Sequence, residues 1–171
     1  RPEACTVVIF GATGDLTHRK LIPALYNLAV DGELPPGVKI IGFARRDKSN
    51  EVFREGLKEL NQEVSRNGHD EEIWQDFENT VEYHQSEFQD ADGYKRLADR
   101  LDAIDMERGG KGNRLFYIAS APEYFDDILE HLKGAGLKVL FDLKELNNTA
   151  MSTTKKIHTG LELDIPFATL R

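Results

Sequence analysis

Val8-Ile9-Phe10-Gly11-Ala12-Thr13-Gly14-Asp15-Leu16 decides how this chain is read. Three apolar residues run into a turn with glycine at two positions. Beyond it Leu21, Ile22, Leu25, Leu28 and Ala29 form an apolar stripe at helical spacing. The pattern predicts a strand that leaves a buried sheet, turns sharply and enters a helix. Glycine at 11 and 14 permits unusual dihedrals and close backbone approach. Amides at a helix start, aided by the helix dipole, suit a pyrophosphate. The spacing is G-x-x-G, shorter than G-x-G-x-x-G, and Thr13 offers a hydroxyl to the same phosphate. A strand-to-helix turn that holds no ligand has the same spacing, so both readings stand at this point. Pro23 predicts a kink or an irregular first turn, and Gly32 is the expected stop of the helix.

Working outward, apolar runs at 5–10, 39–44, 81–84, 114–119 and 138–141 alternate with helix-like stretches at 19–29, 50–67, 71–78, 92–106 and 123–133. Several runs are apolar at successive positions, as strands covered on both faces are. The fold class expected is α/β: a doubly wound, mostly parallel, Rossmann-like sheet with right-handed crossovers. After Phe141 the pattern changes. Residues 142–148 can open another helix, and 149–156 are polar and aperiodic. Leu161, Leu163, Ile165 and Phe167 then alternate as in a half-buried strand of another sheet. The expected division is a nucleotide-binding domain over 1–148, and over 149–171 a remnant or the start of a second, α+β domain.

The 171 residues are 40% hydrophobic and 30% charged, enough for one domain with a real core. A net charge of −8 argues against nucleic acid or an anionic membrane as partner, but not against a phosphorylated small molecule. No run approaches the ~20 apolar residues of a membrane span. The opening Arg1-Pro2-Glu3-Ala4-Cys5 reads as a trimmed start ahead of the first strand rather than a signal peptide. A lone cysteine, Cys5, forms no internal disulfide and favours a reducing cytoplasm. No metal-ligand set is read from the chain.

The second strand ends Ile40-Ile41-Gly42-Phe43-Ala44-Arg45-Arg46-Asp47. In a doubly wound nucleotide-binding sheet this point faces the adenosine ribose, where an acidic residue suits a free 2′-hydroxyl. Two guanidinium groups come first here, which favours the 2′-phosphate of NADP. Solvated loop charges are the plain alternative. The separation of Gly14 from Arg45 exceeds the usual ~20 residues, and the loop at 31–38, with Pro35 and Pro36, is expected to absorb the excess.

With these residues in place, the chain resembles the glucose-6-phosphate dehydrogenase family. The resemblance is carried by Gly11-Ala12-Thr13-Gly14-Asp15-Leu16-Thr17-His18-Arg19-Lys20, by Leu34-Pro35, by Gly42-Phe43-Ala44-Arg45 and by Asn113-Arg114-Leu115-Phe116-Tyr117-Ile118-Ala119-Ser120-Ala121-Pro122. It extends over about residues 5–148. It implies NADP as coenzyme, with backbone contacts from Gly11, Ala12, Thr13, Gly14, Asp15, Leu16, Thr17 and His18; for Asp15, a helix cap is the alternative. It places Arg45, and with less force Arg46, on the 2′-phosphate. Glu87 and Phe88 fall near the adenine side, although Ser86 stands where the family often has glycine. Ala119, Ser120, Pro122 and Phe125 line the nicotinamide side, and Lys20 lies near the sugar phosphate. The reaction implied is oxidation of glucose 6-phosphate at C1 to the lactone, in the pentose phosphate pathway, by a protein that is a homo-oligomer at full length.

The family's E-K-P-F-G string after the fifth strand is absent, and so is the R-I-D-H-Y-L-G-K string that holds the base. No catalytic residue is therefore assigned. His158 has none of that setting, and His18, His69, His84 and His131 are read as surface or structural. The run through Leu140-Phe141 is abrupt, as if parts of a longer chain were joined there with the intervening string missing. A truncated chain, or a relative that binds NADP without catalysis, are the competing accounts. A short-chain reductase ranks last, because none of Tyr26, Tyr83, Tyr94, Tyr117 and Tyr124 has lysine four residues on.

Overall fold

Residues 5–10 and 39–44 are apolar at nearly every position, and both become strands with those limits: β1 (Cys5–Phe10) and β2 (Lys39–Ala44). The computed structural model describes residues 3–64, 69–110 and 112–137. Among these, β3 (Val81–Gln85) and β4 (Asn113–Ile118) join the first two in a sheet of order β3-β2-β1-β4, every neighbouring pair parallel. The third strand runs one residue beyond expectation. The fourth ends at Ile118, although the Ala119 amide still donates to the Phe10 carbonyl at 2.8 Å. The expected strand at 138–141, residues 142–171 with His158, and the domain division at 148/149 lie outside the described residues.

The chain winds from β1 out to β3, then returns past β1 to β4. The order reverses between β1 and β4, and a crevice at that point is where ligands of such sheets bind. Five helices cover the two faces: α1 (Ile22–Val30), α2 (Asn50–Val64), α3 (Glu71–Glu78), α4 (Ala91–Glu107) and α5 (Phe125–Gly134). Successive strand residues face opposite ways, so β1 feeds two cores. Val7 and Ile9 pack with Ile22, Tyr26, Phe53, Leu57, Trp74 and Phe77 of α1–α3. Val8 and Phe10 pack with Tyr94, Leu97, Leu101, Ile128 and Leu132 of α4 and α5. Each such large side chain stabilises by roughly 1.5–3 kcal/mol on burial, so β1 is anchored from both sides.

The first helix departs from a plain α-helix where Pro23 predicts it. A wide turn over Thr17–Leu21 closes when the Ile22 amide donates to the Thr17 carbonyl, five residues back. Pro23 has no N–H, and in a regular helix its ring would press on the carbonyl of Arg19. The backbone is widened at just that turn. Gly32 (φ +68°) stops α1, with its amide on the Ala29 carbonyl. The fully buried residues of α1 are Ile22, Pro23 and Tyr26, and Leu21, Leu25 and Ala29 of the sequence stripe pack half-buried against the same core. Tyr26 is fully buried because its hydroxyl is matched twice. It accepts from the Asp70 amide at 2.9 Å and donates to the Asp70 carbonyl at 3.2 Å. Asp70 in turn caps α3, its carboxylate accepting from the Glu72 and Ile73 amides.

Arginines fasten the elements together. Arg100 on α4 grips Glu82 of β3 with two bonds of 2.7 and 2.8 Å, and those bonds pull the Glu82 carboxyl below its usual pKa. Arg108 donates to the Thr6 hydroxyl and to the carbonyls of Cys5 and Gly37 at the amino edge. Past β3, buried Ser86 occupies space that a larger residue at Gly93 would need. A β-carbon on Gly93 would lie 2.6 Å from the Ser86 β-carbon and closer still to its hydroxyl. Serine at 86 is thus accommodated by glycine at 93.

Gly93→Ala is expected to lower stability by about 1–3 kcal/mol through overpacking, and Ser86→Gly in the same chain to recover most of the loss. Urea unfolding of the two variants measures both. Independent, additive effects would show that the two positions do not share this space.

Candidate functional site

β1 delivers Gly11 to the carboxyl edge of the sheet at the β1/β4 switch point. Gly11 has φ +87°, and an added β-carbon would lie 2.7 Å from the Ala119 carbonyl oxygen. Both facts demand glycine. Gly14 has no positive φ; a β-carbon there would approach the Gly11 carbonyl to 3.1 Å. That carbonyl accepts from the Gly14 amide at 2.9 Å and from the buried Thr17 hydroxyl at 3.2 Å. Gly42, mid-strand in β2, leaves room for Ala12 and for the Phe53 ring.

The turn therefore uses part of its own hydrogen-bonding capacity. The amides of Gly11 and Ala12 both donate to the Phe43 carbonyl, at 2.9 and 3.2 Å. Gly11 and Ala12 are left with surface rather than amides to offer a ligand. The amide and hydroxyl of half-buried Thr13 have no partner among the described residues. From Asp15 the chain is helical, and the first amides of a helix have no carbonyl behind them. Asp15 pairs with Arg19 at 2.7 Å, both well exposed, and no side chain caps the wide turn. The helix-cap alternative for Asp15 falls. Leu16 is 43% exposed at the rim.

At the end of β2, Arg45 and Arg46 are exposed, and neither guanidinium forms an ion pair among the described residues. Their backbone is held from β3. The Tyr83 hydroxyl donates its one proton to the Arg46 carbonyl at 2.5 Å, with the Ala44 carbonyl 3.2 Å from the same oxygen; the Gln85 amide group donates to the Arg45 carbonyl at 3.2 Å. Lys48, half-buried, also makes no ion pair among the described residues. His18 stands in this positive field. Burial, then repulsion from Lys48 and Arg46, hold its pKa below the ordinary histidine value, against a hydrogen bond to the Ala12 backbone and the charge of Asp15.

Glu87 is exposed, with its carbonyl accepting from the Ser86 hydroxyl at 3.0 Å. Phe88 is half-buried and belongs in good part to the core: its ring stacks on Phe43 at 6.1 Å and 14°, and meets Tyr124 at 5.2 Å. Only its remaining rim is open to a ligand. Ala119 and Ser120 are half-buried, and Ala119 abuts Gly11. Pro122 is exposed and opens a single tight turn, Pro122–Tyr124, that leads to half-buried Phe125 at the start of α5. Lys20 is exposed in the wide turn without an ion-pair partner among the described residues. Reading the sequence missed Tyr83, Gln85 and Lys48. The available signal was the two-residue spacing of Tyr83 and Gln85, which puts both on one face of a strand end.

A family profile described as glucose-6-phosphate dehydrogenase, NAD binding domain, matches residues 8–149. The glucose-6-phosphate 1-dehydrogenase of Chlamydia pneumoniae is 48% identical over 128 residues, 75% of this chain and 25% of that protein. Glucose-6-phosphate 1-dehydrogenase 2 of Mycobacterium tuberculosis is 39% identical over 133 residues, 78% of this chain and 26% of that protein. A solved structure of glucose-6-phosphate dehydrogenase in complex with its substrate glucose-6-phosphate superposes with a TM-score of 0.72 at 35% identity, covering 82% of this chain and 28% of the other. The chain spans about a quarter of the length of the curated relatives it matches.

Gly11→Ala is expected to destabilise the fold by about 1–3 kcal/mol, because left-handed backbone and a carbonyl contact are both violated; urea unfolding checks it. His18 is expected to titrate below ~6.5 in a proton NMR titration, and Lys48→Met to move it upward. The sign follows from linkage: the neutral ring contributes stability in full above ~6.5, lost as pH falls through the lowered folded value. A midpoint at or above ~6.5 would contradict the cationic surroundings assigned to this ring.

Proposed function

This chain belongs to the glucose-6-phosphate dehydrogenase family, and we propose that it is the coenzyme-binding part of an enzyme that oxidises glucose 6-phosphate at C1 with NADP. The observation that carries this reading is the pair of exposed guanidinium groups of Arg45 and Arg46 at the end of β2, without an ion pair among the described residues, beside a helix start where Thr13 is also unpartnered among them. NADP differs from NAD only in its 2′-phosphate, and a doubly charged oxyanion is what two free guanidinium groups suit.

The residues present fit NADP. The Thr13 amide and hydroxyl and the opening amides of the first helix are placed for the pyrophosphate. Glu87 and the open rim of Phe88 serve the adenine side; Ala119, Ser120, Pro122 and Phe125 serve the nicotinamide side; Lys20 serves the sugar phosphate. Gly11 lets Ala119 close against the turn. The chemistry NADP supplies when bound is acceptance of a hydride from C1 of the sugar. The proton of the C1 hydroxyl needs a base, and no histidine among the described residues is hydrogen-bonded to an aspartate carboxylate in the way that role requires. No catalytic base is assigned on this chain.

In a calorimetric titration Arg45→Ala is expected to weaken NADP binding by roughly 1.5–3 kcal/mol while NAD binding holds. Equal weakening of both would remove Arg45 from the phosphate. For the full-length protein, glucose 6-phosphate is expected to drive a rise in NADPH absorbance; a folded sample that binds NADP without that rise is instead a coenzyme-binding module lacking catalysis.

A further inference from the structure

The loop at 45–49 carries the charges that would read the 2′-phosphate, yet no ladder supports it. The β2/β3 register ends with Ala44 opposite Gln85. Beyond that pair the chain must cross to α2 at Asn50. One residue of β3 holds both ends of the crossing. The Tyr83 hydroxyl donates its one proton to the Arg46 carbonyl at the start, with the Ala44 carbonyl also within reach at 3.2 Å, and the Tyr83 amide donates to the Asn50 side-chain oxygen at 2.5 Å at the finish. The Tyr83 ring is itself fixed against Phe53, centroids 4.7 Å apart. Gln85 adds the bond to the Arg45 carbonyl.

We propose that Tyr83, assisted by Gln85, is a positioning residue for coenzyme specificity: it fixes the backbone from which Arg45 and Arg46 reach the 2′-phosphate, and so sets the preference for NADP over NAD. The proposal rests on the reading of Arg45 and Arg46 as the 2′-phosphate ligands. Both arginines are exposed and free of ion pairs among the described residues, so no salt bridge orients them. Long side chains lose considerable rotamer freedom on engaging a ligand. A backbone already held in place limits the further loss to the side chains alone. Burial raises the Tyr83 pKa, against the opposing charge of Arg46, so the hydroxyl remains a donor at neutral pH. The clamp's side-chain bonds go to the backbone of residues 44–46, so its removal is expected to act on the 2′-phosphate contact.

Tyr83→Phe keeps the ring on Phe53 and deletes only the hydroxyl. Calorimetric titrations of the chain with NADP, NAD, 2′,5′-ADP and 5′-AMP, alongside melting temperatures, compare it with Gln85→Ala and Arg45→Ala. For Tyr83→Phe the Kd for NADP and 2′,5′-ADP is expected to rise about 3- to 10-fold, with NAD and 5′-AMP within about twofold. Gln85→Ala is expected to show a smaller loss confined to the same two ligands, and it carries the test if Tyr83→Phe does not fold. An equal loss for all four ligands, or an unchanged NADP-to-NAD ratio, overturns the proposal. If Arg45→Ala abolishes the preference while Tyr83→Phe and Gln85→Ala preserve it, the clamp alone is wrong. If the unaltered chain shows no preference for a 2′-phosphate, the reading of the arginines fails and the clamp fails with it.

Discussion

The Phe43 carbonyl accepts the amides of Gly11 and Ala12 at 2.9 and 3.2 Å, and this shared acceptor ties the turn that leaves β1 to the end of β2. Much of the carboxyl edge follows from it. With residue 11 held there at φ +87°, the Ala119 carbonyl can close to within contact of its α-carbon, and the β1/β4 switch point takes its shape. The Gly11 carbonyl, turned the other way, gathers Gly14 and Thr17 and starts the first helix. One backbone acceptor and one glycine thereby place three elements at the crevice. Local bonds also limit the site, since the amides of Gly11, Ala12, Gly14 and His18, all expected to face a phosphate, are already engaged.

That arrangement is anchored by the packing of β1 on both faces of the sheet. Its alternating side chains belong to two separate cores, with Tyr26, Trp74 and Phe77 on one face of the sheet and Phe43, Tyr94 and Leu97 on the other. A shift of β1 by one residue would exchange the two sets and expose neither face favourably. Several polar groups reach these interiors with partners, Tyr26 on the Asp70 backbone, Thr17 on Gly11 and Thr6 on Arg108, whereas the Asn61 side-chain amide is buried with none among the described residues.

The charged side chains divide by use. Arg100, Arg108 and Arg114 are held by carboxylates, a hydroxyl or carbonyls, and they fasten helices to strands. Arg45, Arg46 and Lys48 cluster near the turn without an ion pair among the described residues. Leaving a solvated guanidinium unpaired costs little, so a surface can hold such groups ready for an anion. Beside them the His18 pKa is depressed, first by burial and then by repulsion from Lys48 and Arg46.

The sequence by itself determined the alternation of strands and helices, the β1 and β2 limits, the need for glycine at 11, and the two arginines that follow β2. Those features are local: each depends on neighbours a few residues away, through periodicity, backbone freedom or the direction in which a strand points. Pro23 likewise announced an irregular turn before the structure showed how wide it is. Tertiary structure alone decided which amides remain open at the turn, that Phe88 is largely a core ring, that Tyr26 rather than a leucine anchors α1, and that Tyr83 and Gln85 hold the arginine loop. Each of these depends on a partner far along the chain: Phe43 for Gly11, Asp70 for Tyr26, Arg46 for Tyr83. Such pairings leave no periodic trace, because they are made when β-strands assemble side by side and not by the residues that flank them.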